Sequence, residues 1–211
     1  MRGERMELFW KNKKYQINYG FNKKFYAERL VEQPFLFRHI DEPPKSVLDI
    51  GCWESIISPQ LAMLGYDVIG VDIQDYGYKH RNFRFIKGDF NQIAFDKKFD
   101  VIIDISAIEH FGLPVYTNTT VDLDADKKAI AKVKELLKPR GQFIFTAPYG
   151  ISGIYNNFER IYDEMDILRF FEGFKINTIK YYLITPTEIK EISKEEANIP
   201  HQKEKYAIVC I

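Results

Sequence analysis

Cysteine, long apolar runs and an excess of charge are all scarce in this sequence. Its two cysteines, Cys52 and Cys210, lie far apart in apolar segments and form neither a disulfide framework nor a CxxC-type metal site. No run of about 18 uncharged apolar residues is present, which argues against a typical membrane span. Charged residues also occur throughout the first 14 positions, before any signal-like apolar stretch, so we expect a cytoplasmic protein.

Charge is balanced over the chain but not at its start. The 30 lysines and arginines match 30 aspartates and glutamates, so the chain lacks the positive field that nucleic-acid binding usually requires. Among the first 40 residues, however, nine basic residues outnumber four acidic ones. We interpret this segment as a solvated arm, and a patch for an anionic substrate is the alternative.

From about residue 46 onward, short β-branched runs alternate with helical patterns, which is typical of βαβ units around a mostly parallel sheet. Seven strands, numbered one to seven along the chain, are predicted over residues 46–50, 67–73, 83–87, 99–105, 142–147, 174–184 and 205–211. Helices are predicted over residues 25–40, 58–64, 126–137, 163–171 and 187–197. Because only a short polar helix separates the last two strands, the last strand is predicted to be antiparallel. We divide the chain into residues 1–45, a basic arm and a helix that could lie over the ligand edge, and one α/β domain over residues 46–211.

The segment V-L-D-I-G-C-W-E-S at residues 47–55 runs from a strand through a tight turn towards a helix, where open α/β sheets place a nucleotide. Gly51 allows a ligand to approach the backbone, and Asp72 can accept hydrogen bonds from two ribose hydroxyls. Their separation of 21 residues fits the expected spacing of about 20. Trp53 stands where a second glycine is usual, which disfavours an NAD enzyme and would cost about 1–2 kcal/mol if the turn required a positive φ there.

These segments resemble the class I SAM-dependent methyltransferases, which use S-adenosyl-L-methionine (SAM) as methyl donor. The resemblance covers residues 46–211 and rests also on L-A-M-L-G-Y-D-V-I-G-V-D-I at 61–73, F-I-K-G-D-F at 85–90, I-S-A-I-E-H-F-G-L at 105–113, L-L-K-P-R-G-Q-F-I-F-T-A-P-Y-G at 136–150 and R-I-Y-D at 160–163. The chain looks most like uncharacterised members linked to polysaccharide or small-molecule biosynthesis. The resemblance implies a Rossmann-like three-layer α/β/α sandwich whose seven-stranded, mostly parallel sheet has the strand order 3-2-1-4-5-7-6.

The resemblance also implies roles for individual residues. Asp49 and Gly51 would line the methionine part of SAM, Asp72 would hold the ribose, and Asp89 with Phe90 would flank the adenine. The full set expected to bind SAM is Asp49, Gly51, Cys52, Asp72, Ile73, Asp89, Phe90 and Ser106. Structural alternatives stay open, namely a helix cap for Asp72 and a turn residue for Asp89.

Methyl transfer from a sulfonium needs an acceptor placed in line, exclusion of water and, for a hydroxyl acceptor, a base. The candidate catalytic residues are His110 and Glu109, just past the fourth predicted strand. His110 is the predicted base, because an ordinary histidine pKa of about 6.5 suits neutral pH, and Glu109 is its orienting or structural partner. A purely structural histidine is the alternative. Tyr149, Arg160 and Tyr162 are predicted on the acceptor side, with surface packing as the alternative.

Three aspartates, Asp122, Asp124 and Asp126, precede a predicted helix. A calcium loop of the EF-hand type would need glycine and glutamate where this chain has Lys127 and Val133, so we predict no metal site. The predicted function is O- or N-methylation of a small molecule or sugar. Two other functions stay open: a non-catalytic SAM-like binding or interaction protein with a degenerate glycine loop, and a nucleic-acid methyltransferase that uses the basic arm. The sequence leaves the oligomeric state open.

Overall fold

The computed structural model describes residues 4–10, 13–19, 28–53, 55–115, 121–203 and 205–211. Within these residues the strands are β1 (Glu4–Trp10), β2 (Lys13–Tyr19), β3 (Ser46–Ile50), β4 (Asp67–Asp72), β5 (Phe83–Lys87), β6 (Phe99–Ile105), β7 (Leu137–Tyr149), β8 (Gly153–Tyr155), β9 (Glu159–Ile161), β10 (Lys180–Ile184), β11 (Ile189–Ile192) and β12 (Tyr206–Cys210). The helices are α1 (Arg29–His39), α2 (Ile57–Met63), α3 (Ala125–Leu136), α4 (Glu164–Phe170) and α5 (Lys194–Ala197).

Eight of these strands form one sheet in the order β11-β10-β12-β7-β6-β3-β4-β5. Strands β7, β6, β3, β4 and β5 run parallel to one another, whereas β12 runs antiparallel to both β7 and β10. The seven predicted strands therefore lie in the predicted order, with the last one antiparallel. The Rossmann-like fold class is confirmed, and the sheet has one strand more than predicted.

The additional strand, β11, lies where the sequence pattern predicts a helix over residues 187–197, and that prediction is wrong for the first half of the segment. A tight turn joins β10 to β11: the Thr185 N–H donates to the Glu188 carbonyl at 2.9 Å, and the Glu188 N–H donates to Thr185 Oγ1 at 3.0 Å. The turn places β11 antiparallel to β10. Pairing with this sheet edge outweighs the helix propensity of the lysine and glutamate in β11.

Helices cover both faces of the sheet, which gives the predicted three layers. Leu36 of α1 and the apolar residues of α2 pack on one face, and Val133 of α3 packs on the other with residues of α4. Neighbouring strand residues such as Val47 and Leu48 belong to opposite clusters and are fully buried. The central strands are therefore apolar on both sides, as expected of a parallel sheet between helices.

The first 45 residues differ from the predicted arm. Strands β1 and β2 pair antiparallel, with Glu4 opposite Tyr19 and Trp10 opposite Lys13. The predicted helix is present as α1, although its predicted first residues, 25–27, lie outside the described part of the chain. The division of the chain at residue 45 stays a prediction. In the described ranges, no helix is both long and apolar enough to cross a membrane.

Candidate functional site

A cavity of about 1430 Å³ opens where the parallel strands of the sheet end. Its lining comes from the residues that follow β3, β4, β5 and β6, and from the first turns of α1. Open α/β sheets bind their ligands at this edge. Among the predicted residues, those that line the cavity are Gly51, Asp72, Ile73, Asp89, Phe90, Ser106 and His110.

The loop after β3 is compact and has no room for a side chain at Gly51. Its φ is +70°, and a Cβ there would lie 2.2 Å from the Cβ of Ala107. The Gly51 N–H donates to the Val71 carbonyl at 2.9 Å, which ties the loop to β4. Trp53 is not among the described non-glycine residues with a positive φ, so the strain expected of a tryptophan in this turn does not arise.

Asp72, at the end of β4, faces the cavity and organises the loop beside it. Its Oδ2 accepts the Trp53 N–H at 2.9 Å, and its Oδ1 accepts the Gln74 N–H at 2.8 Å. Burial raises its pKa, against the lowering effect of the backbone donors. An ionised carboxylate has about four lone-pair sites, so about two remain for a ligand that carries two hydroxyl groups.

Asp49 and Cys52, both predicted to bind SAM, do not line the cavity. Asp49 is 3% exposed, and its Oδ2 accepts the Ser58 hydroxyl at 2.7 Å. Burial, together with the nearby charge of Asp72, raises the pKa of Asp49 to about 7 against the lowering effect of the Ser58 hydrogen bond. Cys52 is fully buried against Gly70, where a Cβ would lie 2.8 Å from the Cys52 sulfur. Both residues therefore support the loop from beneath.

The segment after β5 forms the opposite wall of the cavity. Asp89 Oδ1 accepts the Asn91 N–H at 2.8 Å, as expected if Asp89 is a turn residue. Asp89 also lines the cavity, so it has a place in both interpretations. The Asn91 side chain donates to the Ala125 carbonyl at 2.9 Å and so fixes this wall to α3. Phe90 is 2% exposed, so most of its ring belongs to the core.

Helix α1 is held at the cavity by one buried carboxylate. Glu32 accepts hydrogen bonds from Arg29 Nη1 at 2.7 Å, from Thr146 Oγ1 at 2.8 Å and from the Ser106 hydroxyl. Arg29 also donates to the Ile105 carbonyl at 3.1 Å. The start of α1 is therefore attached to the ends of β6 and β7, and Arg29 lines the cavity.

A single turn of 3-10 helix (Ile108–His110) carries the predicted base. His110 Nδ1 lies 2.7 Å from the Phe158 carbonyl oxygen, and Nε2 lies 3.9 Å from Glu109 Oε1. Burial lowers the pKa of His110, so the ring is neutral at pH 7. Glu109 is buried and does not line the cavity, and burial followed by the nearby charge of Asp104 raises its pKa well above the usual range.

The three residues predicted on the acceptor side lie away from the cavity. Tyr149 borders a separate pocket of about 340 Å³ beside Glu164. The Tyr162 hydroxyl donates to Asp126 Oδ2 at 3.2 Å, and Arg160, 7% exposed, lies behind the 3-10 turn. None of the three residues therefore lines the cavity, although Arg160 contacts the backbone on both sides of His110.

The sequence analysis did not select several residues that line the cavity: Arg29, Leu30, Gln33, Tyr76, Tyr78 and Lys128. The Tyr76 hydroxyl donates to the Ser55 carbonyl, and the Tyr76 and Tyr78 rings lie 5.4 Å apart. Aromatic residues soon after Asp72 were the signal that could have identified this wall, because the residues that follow a parallel strand lie at the ligand edge.

The aspartates before α3 form ion pairs with lysines. Asp122 Oδ2 lies 2.6 Å from Lys128 Nζ, and Asp124 Oδ1 lies 2.6 Å from Lys127 Nζ. These contacts account for the charges of both carboxylates. The described ranges contain no group of three histidine, cysteine, aspartate or glutamate side chains arranged to hold a metal ion.

Two solved structures of methyltransferases share this fold. The 1,6-didemethyltoxoflavin-N1-methyltransferase of Burkholderia thailandensis, solved with 1,6-didemethyltoxoflavin and S-adenosylhomocysteine, is 15% identical with a TM-score of 0.57, over 87% of this chain and 77% of that one. The N-methyltransferase NodS of Bradyrhizobium japonicum is 14% identical with a TM-score of 0.53, over 87% of this chain and 94% of that one. Likeness at this identity shows the fold, which is that of the class I SAM-dependent methyltransferases.

Sequence comparison gives a relative and a family. The ubiquinone biosynthesis O-methyltransferase of Pelagibacter ubique is 29% identical in an alignment of 122 residues, and the match covers 49% of this chain and 49% of that protein. The match thus spans about half the length of that relative. A family model described as "Caenorhabditis protein of unknown function, DUF268" matches residues 62–210, more than half of the chain. The chain therefore belongs to the DUF268 family.

Proposed function

We propose that this chain is an enzyme that transfers the methyl group of SAM to oxygen or nitrogen of a small molecule or sugar. The observation that carries the proposal is the cavity of about 1430 Å³ at the carboxyl ends of the parallel strands, bordered by Gly51 and Asp72. Ligand pockets typically measure about 300–1,000 Å³, so this volume is large enough for a nucleoside cofactor and an acceptor together. The methyltransferase relatives support the same activity.

The residues at the cavity fit SAM chemically. Asp72 keeps lone pairs for two ribose hydroxyls, Asp89 has a second carboxylate oxygen for an adenine amino group, and Ile73 offers an apolar surface. Gly51 and Ser106 add backbone that a ligand can approach, since both line the cavity. When bound, SAM supplies an electrophilic methyl group carried on a sulfonium.

His110 is the residue proposed to take a proton from the acceptor. It lines the cavity and its pKa is lowered chiefly by burial, so it is in the proton-accepting form at neutral pH. Helix α1 and the 3-10 turn border the same cavity, and their contact with a bound acceptor would exclude water from it. The non-catalytic alternative rested on Trp53 and Ser55 in place of the usual glycines. Neither residue is among the described non-glycine residues with a positive φ, which counts against that alternative.

The activity is tested by incubating the full chain with SAM and a panel of sugars, hydroxylated aromatics and amines, and by measuring S-adenosylhomocysteine. We expect product only when both chain and acceptor are present. The Asp72→Ala variant is the matched negative control, and Asp75→Ala, at an exposed position of the same rim, is the positive control. Ligand binding without turnover over the whole panel would favour the non-catalytic alternative.

A further inference from the structure

A short hairpin, β8 and β9, packs behind the 3-10 turn that carries His110. In the connection between its strands, Asn156 and Asn157 have φ values of +52° and +54°, in the left-handed region that asparagine tolerates better than most residues. Phe158 and Arg160 follow directly. Both contact the 3-10 turn, and neither lines the cavity.

The contact from Phe158 determines which ring nitrogen of His110 carries a proton. A carbonyl oxygen can only accept, and the Phe158 oxygen lies 2.7 Å from Nδ1, so Nδ1 is the donor. In the neutral ring Nε2 then has the lone pair. The side chain of His110 is also held by the Phe158 ring, whose centroid lies 4.7 Å from the imidazole centroid.

Arg160 holds the backbone on both sides of His110. Its Nη1 donates to the Glu109 carbonyl at 3.2 Å and to the Phe111 carbonyl at 2.6 Å. These are the residues directly before and after the histidine. One nitrogen of one guanidinium therefore binds the peptide group that precedes His110 and the carbonyl of the residue that follows it.

The other end of the guanidinium reaches the start of α3. Nη2 of Arg160 donates to the carbonyls of Asp122, at 3.4 Å, and Leu123, at 3.2 Å, and Nε lies 3.4 Å from Asp126 Oδ2. The Asp122 N–H donates in turn to the Gly112 carbonyl at 2.9 Å. Arg160 thus joins the two ends of the chain segment that leads from the 3-10 turn to α3, and Asp126 balances its buried charge.

We propose that Arg160 is a positioning residue and that, with the Phe158 carbonyl, it holds His110 so that Nε2 receives the proton of the acceptor. The electron pair of the broken O–H or N–H bond stays on the acceptor atom, which would form the new bond to the methyl carbon. The carbon–sulfur bond of SAM would break at the same time and leave its electron pair on the sulfur of S-adenosylhomocysteine. The protonated ring keeps its Nδ1–H donated to Phe158. The proton transfer from the acceptor rests on the proposed function. The tautomer of His110, and the role of Arg160 in keeping that tautomer, do not rest on it.

This role requires the planar guanidinium of Arg160, which can bind several carbonyls at once. A guanidinium has five N–H donors in one plane, whereas a lysine ammonium is a single point of charge. Arg160→Lys therefore keeps the positive charge near His110 but loses the simultaneous contacts with carbonyls on both sides. Arg169→Lys, at an exposed position of α4, is the matched control.

The test is long-range proton–nitrogen NMR of histidine-labelled, ligand-free protein, with the His110 signals assigned by their loss in His110→Gln. We expect the Nδ1–H tautomer in the wild type and a mixture of tautomers in Arg160→Lys. In the methyl-transfer assay Arg160→Lys should be slower by roughly 10- to 100-fold, with S-adenosylhomocysteine affinity within about twofold of the wild type. Arg169→Lys should match the wild type in every measurement.

If His110 carried its proton on Nε2 in the wild type, the proposal would be wrong, whether or not the protein binds SAM. An unchanged His110 tautomer in folded Arg160→Lys would show that Arg160 does not position His110. If Arg160→Lys does not fold, Asp126→Asn, which weakens the hold on Nε of Arg160, should shift the tautomers in the same direction, and no shift would count against the proposal. A lack of SAM binding would contradict the proposed function and leave the tautomer result standing.

Discussion

The backbone N–H of Trp53 donates to Oδ2 of Asp72 at 2.9 Å, and this contact joins the loop after β3 to the end of β4. Only the backbone of Trp53 takes part in this bond, so the bond does not depend on having glycine at this position. Asp72 therefore has two roles at once, since it organises the loop and lines the cavity.

Asp72→Ala should weaken the binding of S-adenosylhomocysteine by about 1.5–3 kcal/mol, the contribution of hydrogen bonds to a charged acceptor. Isothermal titration calorimetry measures the change, and circular dichroism checks that the variant is folded. Asp75→Ala, which removes an exposed carboxylate from the same rim, should bind as the wild type does. Equal affinity of Asp72→Ala and wild type would exclude the ribose role.

Gly51→Ala should destabilise the protein by about 2–4 kcal/mol, because its Cβ would overlap Ala107 and its φ of +70° disfavours any side chain. Urea unfolding measures the loss. In the double variant Gly51→Ala with Ala107→Gly the overlap is gone, so about 1–2 kcal/mol of backbone strain should remain. If the double variant were no more stable than Gly51→Ala, the predicted overlap would not be the cause.

The positions of the strands could be predicted from the sequence because each buried strand is a short apolar run that ends at a turn residue. Their order in the sheet was implied by the family resemblance. The edge strand β11 could not be predicted, because its two isoleucines are three residues apart, a spacing that fits a helix, and only pairing with β10 makes the segment a strand. The pairing of β1 with β2 was missed because charge dominated the interpretation of that segment.

The residues predicted to bind SAM lie at the cavity more often than those predicted on the acceptor side. Gly51, Asp72 and Asp89 lie at or just after the ends of strands, so their place at the sheet edge depends on local sequence alone. The position of Arg160 depends on how the β8–β9 hairpin folds back onto the 3-10 turn, and no local pattern encodes that contact. Asp49 was expected beside the methionine part of SAM. Its carboxylate instead lies beneath the turn, where it accepts the Ser58 hydroxyl.

His110→Ala should slow methyl transfer by roughly 10²–10⁴-fold and leave S-adenosylhomocysteine affinity nearly unchanged. The wild-type rate should be constant over neutral pH and fall in acid, because burial, with Arg29 and Arg160, lowers the His110 pKa against the opposing effects of Phe158 and Glu159. Turnover of the folded variant, measured with an acceptor from the panel, decides the question. Full turnover would show that His110 is not the base.

Asp49→Asn should stabilise the protein at pH 8 and have little effect at pH 4. The Asp49 pKa of about 7 lies above the value of about 3.9 expected in the unfolded chain, so the native state loses stability as pH rises between these values. An amide removes that loss, and the expected gain at pH 8 is roughly 2–4 kcal/mol. Urea unfolding at both pH values measures it, with Asp96→Asn on an exposed loop as control. A gain that is the same at both pH values would contradict the raised pKa.

The most direct test of the proposed function is a calorimetric titration of the 211-residue chain with S-adenosylhomocysteine, followed by thermal unfolding with and without the ligand. The account predicts saturable binding at one site per chain. At a ligand concentration 100 times the dissociation constant, it also predicts a gain of about 2.7 kcal/mol in unfolding free energy. No heat of binding and an unchanged melting temperature at millimolar ligand would contradict it.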